Sequence, residues 1–189
     1  MSFERFERPP TMDAKNLADL YDLPTLDWSM IERRLGEEIT QAPDTGGPSR
    51  HTWWLATINA DGSPHLNGIG AEWAEGAFWF ETGPQSRKGR NVALDPRCTL
   101  SLSTQEFDLV IEGDASLVTD PATVARRAEQ WAAGGWPCTV DESGLALTAP
   151  FSAPSAGPPP WRVYKITPRR AHALATTGEG GATRWTFES

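Results

Sequence analysis

Three short segments rich in aromatic and β-branched residues follow one another between residues 52 and 82, with turn signals between them. The first two, TWWLATIN and PHLNGIGAEW, are separated by Asp61–Gly62, a dipeptide typical of tight β-hairpin turns. The sequence AEG separates the second segment from the third, AFWFET. Because turns this short connect only antiparallel strands, this part of the chain predicts an antiparallel meander.

Further strand and helix patterns follow the meander. CTLSLS and FDLVIEGDASLV alternate as half-buried strands do, and WRVYKIT, AHALAT and ATRWTF close the chain as strands. Gly113, in the second of these segments, is expected at a bulge or a close approach of two backbones. Helices are predicted over TLDWSMIERRLGEE, with Asp27 as N-cap, over QSRKGRNVAL and over TDPATVARRAEQWAA. The patterns together predict a mainly β protein with peripheral helices, built as an antiparallel barrel.

The chain length of 189 residues fits a single domain. Residues 1–24 are predicted to form a loosely attached N-terminal arm, and residues 25–189 a single barrel domain. Residues 134–160 form a loop rich in proline and glycine. Within it, SAPSAGPPP is interpreted either as a lid over a substrate or as an ordered surface wrap, and the usual placement of loops favours the wrap.

The charge of the chain excludes several classes of partner. A net charge of −8 and a pI near 4.9 argue against a nucleic-acid binder and against a partner membrane with an anionic surface. The N-terminal residues lack the apolar segment of a signal peptide, and no apolar run reaches the length of a membrane helix. Cys98 and Cys138 fit no zinc spacing, so the sequence predicts a cytoplasmic protein without a metal site.

Against this negative charge, four basic residues lie together in GPQSRKGRNVALDPRCTLSLS, residues 83–103. They are Arg87, Lys88, Arg90 and Arg97. The first N–H groups of a helix lack internal partners and favour an anion, and Ser86 adds a hydroxyl at the predicted helix start. A phosphate fits this cluster better than a carboxylate because it offers more acceptors. The alternative is a set of ordinary solvated surface charges.

The order of these segments resembles the split-barrel flavin-binding superfamily, whose members include pyridoxamine 5′-phosphate oxidase and the flavin/deazaflavin oxidoreductases of actinobacteria. The string S-R-K-x-R-N-x-x-x-D-P-R, the downstream E-G-x-A, and the closing WRVYKITPRRA and GGATRWTF carry the resemblance. It runs from Trp53 to Ala115 and resumes near the C-terminus. It implies an FMN-binding split β-barrel of about six antiparallel strands that forms a homodimer with cofactor at the interface. The closing ATRWTF is similar to the deazaflavin branch.

The resemblance also implies roles for individual residues. Arg87 and Lys88 would hold the phosphate of the cofactor, with a further hydroxyl from Thr82. The backbone of the second strand would face the cofactor ring, and the closing strand would place two side chains near it. These ring-side residues are Asn67, Gly68, Ile69, Gly70, Arg184 and Trp185.

Departures from the family pattern bear on the substrate and the cofactor. The second strand has His65 and Asn67 but none of the basic residues that the oxidase carries there, and the C-terminal Arg-x-His of the oxidase is absent. The sequence therefore disfavours oxidation of pyridoxamine phosphate. FMN and the deazaflavin coenzyme F-420 both remain open, and the missing cations slightly favour F-420.

The reaction implied by the resemblance is hydride transfer to or from a small organic substrate, for which the cofactor supplies the chemistry. No catalytic side chain is assigned, and His51, His65 and His172 are expected to be structural or solvated. Most of the nine tryptophans are expected in packing, with some free to line a pocket for a flat ligand. Two alternatives stay open: a non-catalytic carrier of a cofactor, haem or tetrapyrrole, and an interaction module with a degraded site.

Overall fold

A computed structural model of the protein describes residues 12–37, 53–153 and 155–188. Residues 1–11 of the predicted arm and His51 lie outside the described residues. The helices are α1 (Trp28–Leu35), α2 (Arg87–Leu94) and α3 (Pro121–Ala133), with a 3-10 turn at Asp19–Tyr21. The strands are β1 (Met12–Asn16), β2 (Trp53–Ile58), β3 (Pro64–Ile69), β4 (Glu72–Ala74), β5 (Ala77–Thr82), β6 (Arg97–Ser103), β7 (Phe107–Leu117), β8 (Thr139–Val140), β9 (Leu147–Thr148), β10 (Arg162–Ala175) and β11 (Ala182–Phe187).

Nine of these strands form one antiparallel sheet, in the order β1-β11-β10-β7-β6-β2-β3, with β5 pairing β10 and β4 pairing β5. The first half of β10 bonds to β5 on one edge and to β7 on the other. The fold is therefore a mainly β split barrel with peripheral helices, as predicted. Its sheet has more strands than the six expected.

Two strand boundaries differ from the sequence prediction. The segment PHLNGIGAEW is divided into β3 and β4. The two segments WRVYKIT and AHALAT join instead into the single strand β10, with an irregularity between Pro168 and Arg170. Proline lacks the N–H of a regular ladder, so it sits at this irregularity. Opposite it, a Cβ on Gly113 would collide with the carbonyl oxygen of Thr167, which confirms the close approach expected there.

Part of the predicted N-terminal arm belongs to the sheet. Strand β1 pairs with β11 in register from Met12–Phe187 to Asn16–Thr183. Asn16 also donates its side-chain amide to the carbonyl of Leu23 at 2.9 Å. The sequence did not indicate this strand, because MDAKN lacks the β-branched and aromatic residues that mark the others.

Two apolar clusters hold the elements together. The first lies between the sheet and α1, whose buried residues Trp28, Ile31 and Leu35 form the predicted face, with Asp27 accepting the N-cap bond from Ser29 N–H. The second lies between α3 and β5 and includes the fully buried Trp161. The chain from residue 134 to 160 wraps this second cluster.

The wrapping segment carries the short hairpin of β8 and β9 and is joined to Trp161 by a two-way backbone bridge from Leu147. The carbonyl of Ala156 accepts a hydrogen bond from Gly83 N–H at 3.1 Å, just before α2. A Cβ on Gly83 would lie 2.6 Å from that same carbonyl oxygen, so only glycine allows this contact. These contacts hold the segment against the start of α2.

Candidate functional site

Helix α2 begins at Ser86, whose hydroxyl oxygen accepts a hydrogen bond from Gly89 N–H at 3.0 Å. The hydroxyl of Thr82, at the end of β5, is fully buried and lies 2.7 Å from the Ser86 hydroxyl. A Cβ on Gly89 would lie 2.5 Å from the carbonyl oxygen of Gly83, which explains glycine at this position. Thr82 and Ser86 therefore cap and position the helix start, and Thr82 does not line the pocket beside it.

A pocket of about 350 Å³ lies beside the start of α2. We call it the basic pocket. It is lined by His65, Asn67, Gly68, Arg87, Lys88 and Ser155. These residues come from β3, α2 and the wrapping segment, which are separated in sequence. The structure thus brings together the predicted pair Arg87 and Lys88 with Asn67 and Gly68.

Lys88 is almost completely buried, with 2% of its surface exposed, although lysine is rarely found in such a place without a partner. Its Nζ donates to the carbonyl oxygen of Ser155, which leaves two N–H donors. Burial lowers the pKa of Lys88, and the nearby carboxylate of Glu81 opposes that effect. An anion in the basic pocket would relieve the cost of burying this cation.

His65 lines the basic pocket beside the cations of Arg87 and Lys88. Burial lowers the pKa of its imidazole below the ordinary value of 6.5, and Arg87 and Lys88 lower it further by repulsion. The effect shows that the potential in the basic pocket is positive. A bound anion would reverse this repulsion and favour the protonated imidazole.

Asn67 is the second unusual polar group of the pocket. Its side-chain amide donates to the carbonyl of Gly68 at 3.1 Å, while its Oδ1 is buried without a hydrogen-bond partner among the described residues. A buried acceptor without a partner is costly. The ribityl hydroxyls and the ring N–H of a flavin or deazaflavin are donors that fit it, so the pocket suits both parts of such a cofactor.

Asn91, in the quoted string S-R-K-x-R-N, positions α2 and was not predicted to do so from the sequence. It is buried on α2, and its amide donates to Thr57 Oγ1 and to Asn59 Oδ1, both at 3.0 Å. These bonds tie α2 to β2 and its following turn. The signal in the sequence is its spacing of four residues from Arg87, which places Asn91 one helical turn further along.

Arg184 and Trp185 do not line the basic pocket. Trp185 is buried in the core, with its ring centroid 5.3 Å from that of Trp28. Its predicted place beside the cofactor ring therefore has no support in this arrangement. Arg184 lies on the opposite face of the sheet from Asn67, in a row of cross-strand neighbours. That row consists of Gly68, Trp54, Ser101, Val110, His172, Arg184 and Lys15.

A second, larger cavity of about 690 Å³ lies between the two apolar clusters. We call it the tryptophan cavity because four indole rings line it: Trp53, Trp73, Trp131 and Trp136. Gly70, predicted to face the ring, opens into it, whereas Ile69 is buried in the core. Ser155 lines both this cavity and the basic pocket, so the two are neighbours.

Glu81 faces the tryptophan cavity from β5. The residue keeps part of its surface exposed towards the cavity, but the groups around its carboxyl raise the pKa to about 7, chiefly by desolvation, against the opposing effect of Lys88. Glu81 was not among the residues predicted from the sequence. A charged residue inside the otherwise apolar strand AFWFET was the available signal.

Other reactive groups are scarce in the part of the chain that the structure describes. No three His, Cys, Asp or Glu side chains there lie close enough to hold a metal ion. Burial raises the pKa of Cys98 to about 12 and that of Cys138 to about 11, so both thiols are poor nucleophiles. None of the described helices has the length and apolar character needed to cross a membrane.

A family model described as pyridoxamine 5′-phosphate oxidase matches residues 39–175, which include the whole basic pocket. The chain belongs to this family. Its departures from the oxidase within the pocket, His65 and Asn67 on β3, are therefore variations inside a shared architecture. No curated protein matched the sequence.

Solved structures share the fold at low sequence identity. A conserved hypothetical protein from Mycobacterium tuberculosis is 23% identical, with 80% of this chain and 86% of that chain covered and a TM-score of 0.55. A haem binding protein from Mycobacterium smegmatis is 15% identical, with 83% and 57% covered and a TM-score of 0.55. A NimC/NimA family protein from Clostridium acetobutylicum is 12% identical, with 83% and 89% covered and a TM-score of 0.51.

Proposed function

We propose that the protein is an oxidoreductase that binds FMN or coenzyme F-420, with the phosphate of the cofactor in the basic pocket. The observation that carries this proposal is the burial of Lys88 beside Arg87 and His65 at the start of α2. Without an anion, the cation of Lys88 would stay buried beside Arg87 with the carbonyl oxygen of Ser155 as its hydrogen-bond partner, at a cost in free energy. A phosphate removes that cost.

The adjoining backbone suits a flat ring. A Cβ on Gly70 would meet no atom within 4 Å, and Gly68 lines the pocket directly. Asn67, which directly precedes Gly68, has the unpartnered Oδ1 that accepts a hydrogen bond from the ligand. We assign the ring to this stretch of β3, where the family resemblance also puts it.

When bound, such a cofactor supplies hydride transfer, and the protein supplies orientation and shelter. Arg87 and Lys88 hold the anionic end, and Ser86 and Thr82 keep the helix start in place. The tryptophan cavity next to Gly70 keeps water from the reacting face and is the proposed place of a small organic substrate. The absence of the Arg-x-His sequence argues that this substrate is not pyridoxamine phosphate.

The experiment that tests this function is a pair of titrations of the purified protein, one with FMN and one with coenzyme F-420, followed by tryptophan fluorescence. We expect one of the two to bind. In Arg87→Glu the affinity falls by about 30-fold or more, because a charge-assisted bond to phosphate is replaced by repulsion.

Arg33→Glu is the matched control, since it makes the same change of charge on an exposed residue of α1 outside the pocket. It leaves the affinity within about twofold, the range expected for a distant exposed charge. Unchanged binding in Arg87→Glu would show that the phosphate lies elsewhere, and failure of both ligands to bind would reject the proposed function.

The alternative of a haem carrier finds no support in the tryptophan cavity. Among the described residues that line it there is no His, Cys, Met or Tyr to serve as an axial ligand. The haem binding protein from Mycobacterium smegmatis shares the fold with this chain, and that likeness does not extend to its ligand. Addition of haemin to the protein, followed in the Soret region, separates the two functions.

A further inference from the structure

The tryptophan cavity has a charge opposite to that of the basic pocket beside it. Its charged residues are all acidic: Glu37, Glu72 and Glu81. No Lys or Arg is found among the described residues that line it. The two sites are adjacent through Ser155, so this change of sign occurs over a short distance and marks the cavity as a separate recognition site.

Glu72 and Glu81 carry charges that no cation pairs directly. Glu37 is paired with Arg34, with 3.7 Å between the nitrogen and oxygen atoms. Neither of the other two forms an ion pair with a described residue, and Oε2 of Glu72 is buried without any hydrogen-bond partner. An unpaired buried carboxylate oxygen is costly unless a ligand supplies the partner.

The nearest cations among the described residues form no ion pair with Glu72 or Glu81. Lys88 of α2 attracts Glu81 but donates its hydrogen bond to Ser155. Arg127 of α3 attracts Glu72, yet its Nη2 lies 2.6 Å from a carboxylate oxygen of Glu75. Both cations thus soften the potential of the cavity without neutralising either carboxylate.

The walls of the cavity add an attraction of the same kind. Trp53 and Trp73 line it from the strand side, while Trp131 and Trp136 line it from α3 and the segment after it. The face of an indole ring carries partial negative charge and attracts cations more strongly than the ring of any other side chain. Aromatic walls with carboxylates between them are the arrangement that selects an organic cation.

We propose that the tryptophan cavity binds a flat aromatic cation, a molecule with a quaternary or protonated ring nitrogen that stacks on indole rings and pairs with Glu72 and Glu81. Its volume of about 690 Å³ suits a ligand of this size. The identification of this cation as the substrate that meets the cofactor ring near Gly70 rests on the proposed function. The net charge of −8 steers such a ligand towards the protein.

The ionisation of Glu81 makes this binding depend on pH. The charged or titratable groups that lie around it are Lys88, Cys138, Glu37 and Glu72, contributed by four different parts of the chain. Because the pKa of Glu81 is raised to about 7, its negative charge develops across neutral pH. A ligand with a permanent positive charge therefore binds more tightly as the pH rises from 5.5 to 8.

The test uses three bicyclic probes of similar size and different charge, titrated calorimetrically into the full chain without cofactor. N-methylquinolinium is the cation, 1-naphthalenemethanol the neutral probe and 1-naphthoate the anion. We expect the cation to bind at least about 10-fold more tightly than the neutral probe, and the anion not to bind, since ion pairs and cation–π contacts add to stacking only for the first.

Variants locate the binding. Glu72→Gln and Glu81→Gln are each expected to weaken cation binding about 5–10-fold, and Glu81→Gln to remove its rise between pH 5.5 and 8. Glu129→Gln, which removes an exposed charge of α3 outside the cavity, is the matched control. It leaves the affinity for the cation and its rise between pH 5.5 and 8 unchanged. Circular dichroism checks that each variant is folded.

Equal binding of the cation and the neutral probe, or preference for the anion, overturns the inference without recourse to any variant. So does a cation affinity that is the same in Glu72→Gln, Glu81→Gln and wild type. Titrations with FMN and F-420 on the same preparation report separately on the proposed function. Cation binding without cofactor binding rejects the proposed function and keeps this inference. Cofactor binding without cation binding rejects this inference and keeps the proposed function.

Discussion

Glu81 shows how a single residue in this fold connects stability to pH. Its carboxyl has a pKa of about 7 in the folded protein against an ordinary value of 4.5, chiefly because burial disfavours the charged form. The folded state therefore binds this proton more tightly than the unfolded chain does. The stabilisation is complete below pH 4.5 and is lost as the pH rises through 7.

Glu81→Gln removes this dependence. We expect the free energy of unfolding of the variant, compared with wild type, to gain about 2 kcal/mol between pH 4.5 and 8, a figure that allows for screening by solvent in the cavity. Urea unfolding at several pH values measures it. In Glu129→Gln the free energy of unfolding changes with pH as in wild type. The same change with pH in Glu81→Gln would show that burial does not raise the pKa of the Glu81 carboxyl.

At the scale of elements, α2 is the part on which the basic pocket depends, and its position rests on Asn91. Asn91→Leu removes the hydrogen bonds to Thr57 and Asn59 and leaves both acceptors without that donor. We expect a loss of about 1–3 kcal/mol in the free energy of unfolding, measured in urea, and weaker cofactor binding because Arg87 and Lys88 move with the helix.

Leu94→Gln is the control for this helix, because Leu94 is 72% exposed near the end of α2. Its free energy of unfolding should stay within about 0.5 kcal/mol of wild type, as expected of surface substitutions. An Asn91→Leu variant with wild-type stability and cofactor affinity would show that the wrapping segment alone holds α2 in place.

At the scale of the whole molecule, we predict that the outer face of the β2–β3 hairpin packs against a second copy of the chain. Trp54 and Leu66 are 48% and 59% exposed on that face, and Gly68 connects it to the basic pocket. Burial of such an apolar patch against its own copy agrees with the homodimer that the family resemblance implies. Arg184 lies on this same face, so in the predicted homodimer it would point towards the partner.

The doubly substituted variant Trp54→Ser, Leu66→Ser is expected to be monomeric, because it removes the apolar area that drives association. Light scattering coupled to size exclusion measures the mass, with a dimer expected for wild type. Leu117→Ser and Leu145→Ser, at exposed leucines outside the β2–β3 hairpin, together form the matched control. A monomeric wild type would reject the homodimer.

The local pattern of the sequence determined most of the elements. Asp27 caps α1 as predicted, α2 starts where its helix was expected, and the Asp61–Gly62 turn joins β2 and β3. Helix caps and tight turns involve neighbouring residues, so their signals are present in short stretches of sequence. The cluster of Arg87 and Lys88 at a helix start is visible for the same reason.

Only the tertiary structure decided what those residues meet. The contact of Lys88 with Ser155, the neighbourhood of Glu81 and the separation of Trp185 from the basic pocket all join segments far apart in the chain. Alternation along ATRWTF assigns Arg184 and Trp185 to opposite faces, but it cannot tell which face is the core. That choice depends on where α1 packs, because Trp28 covers one side of the sheet and thereby turns Trp185 inward and Arg184 outward.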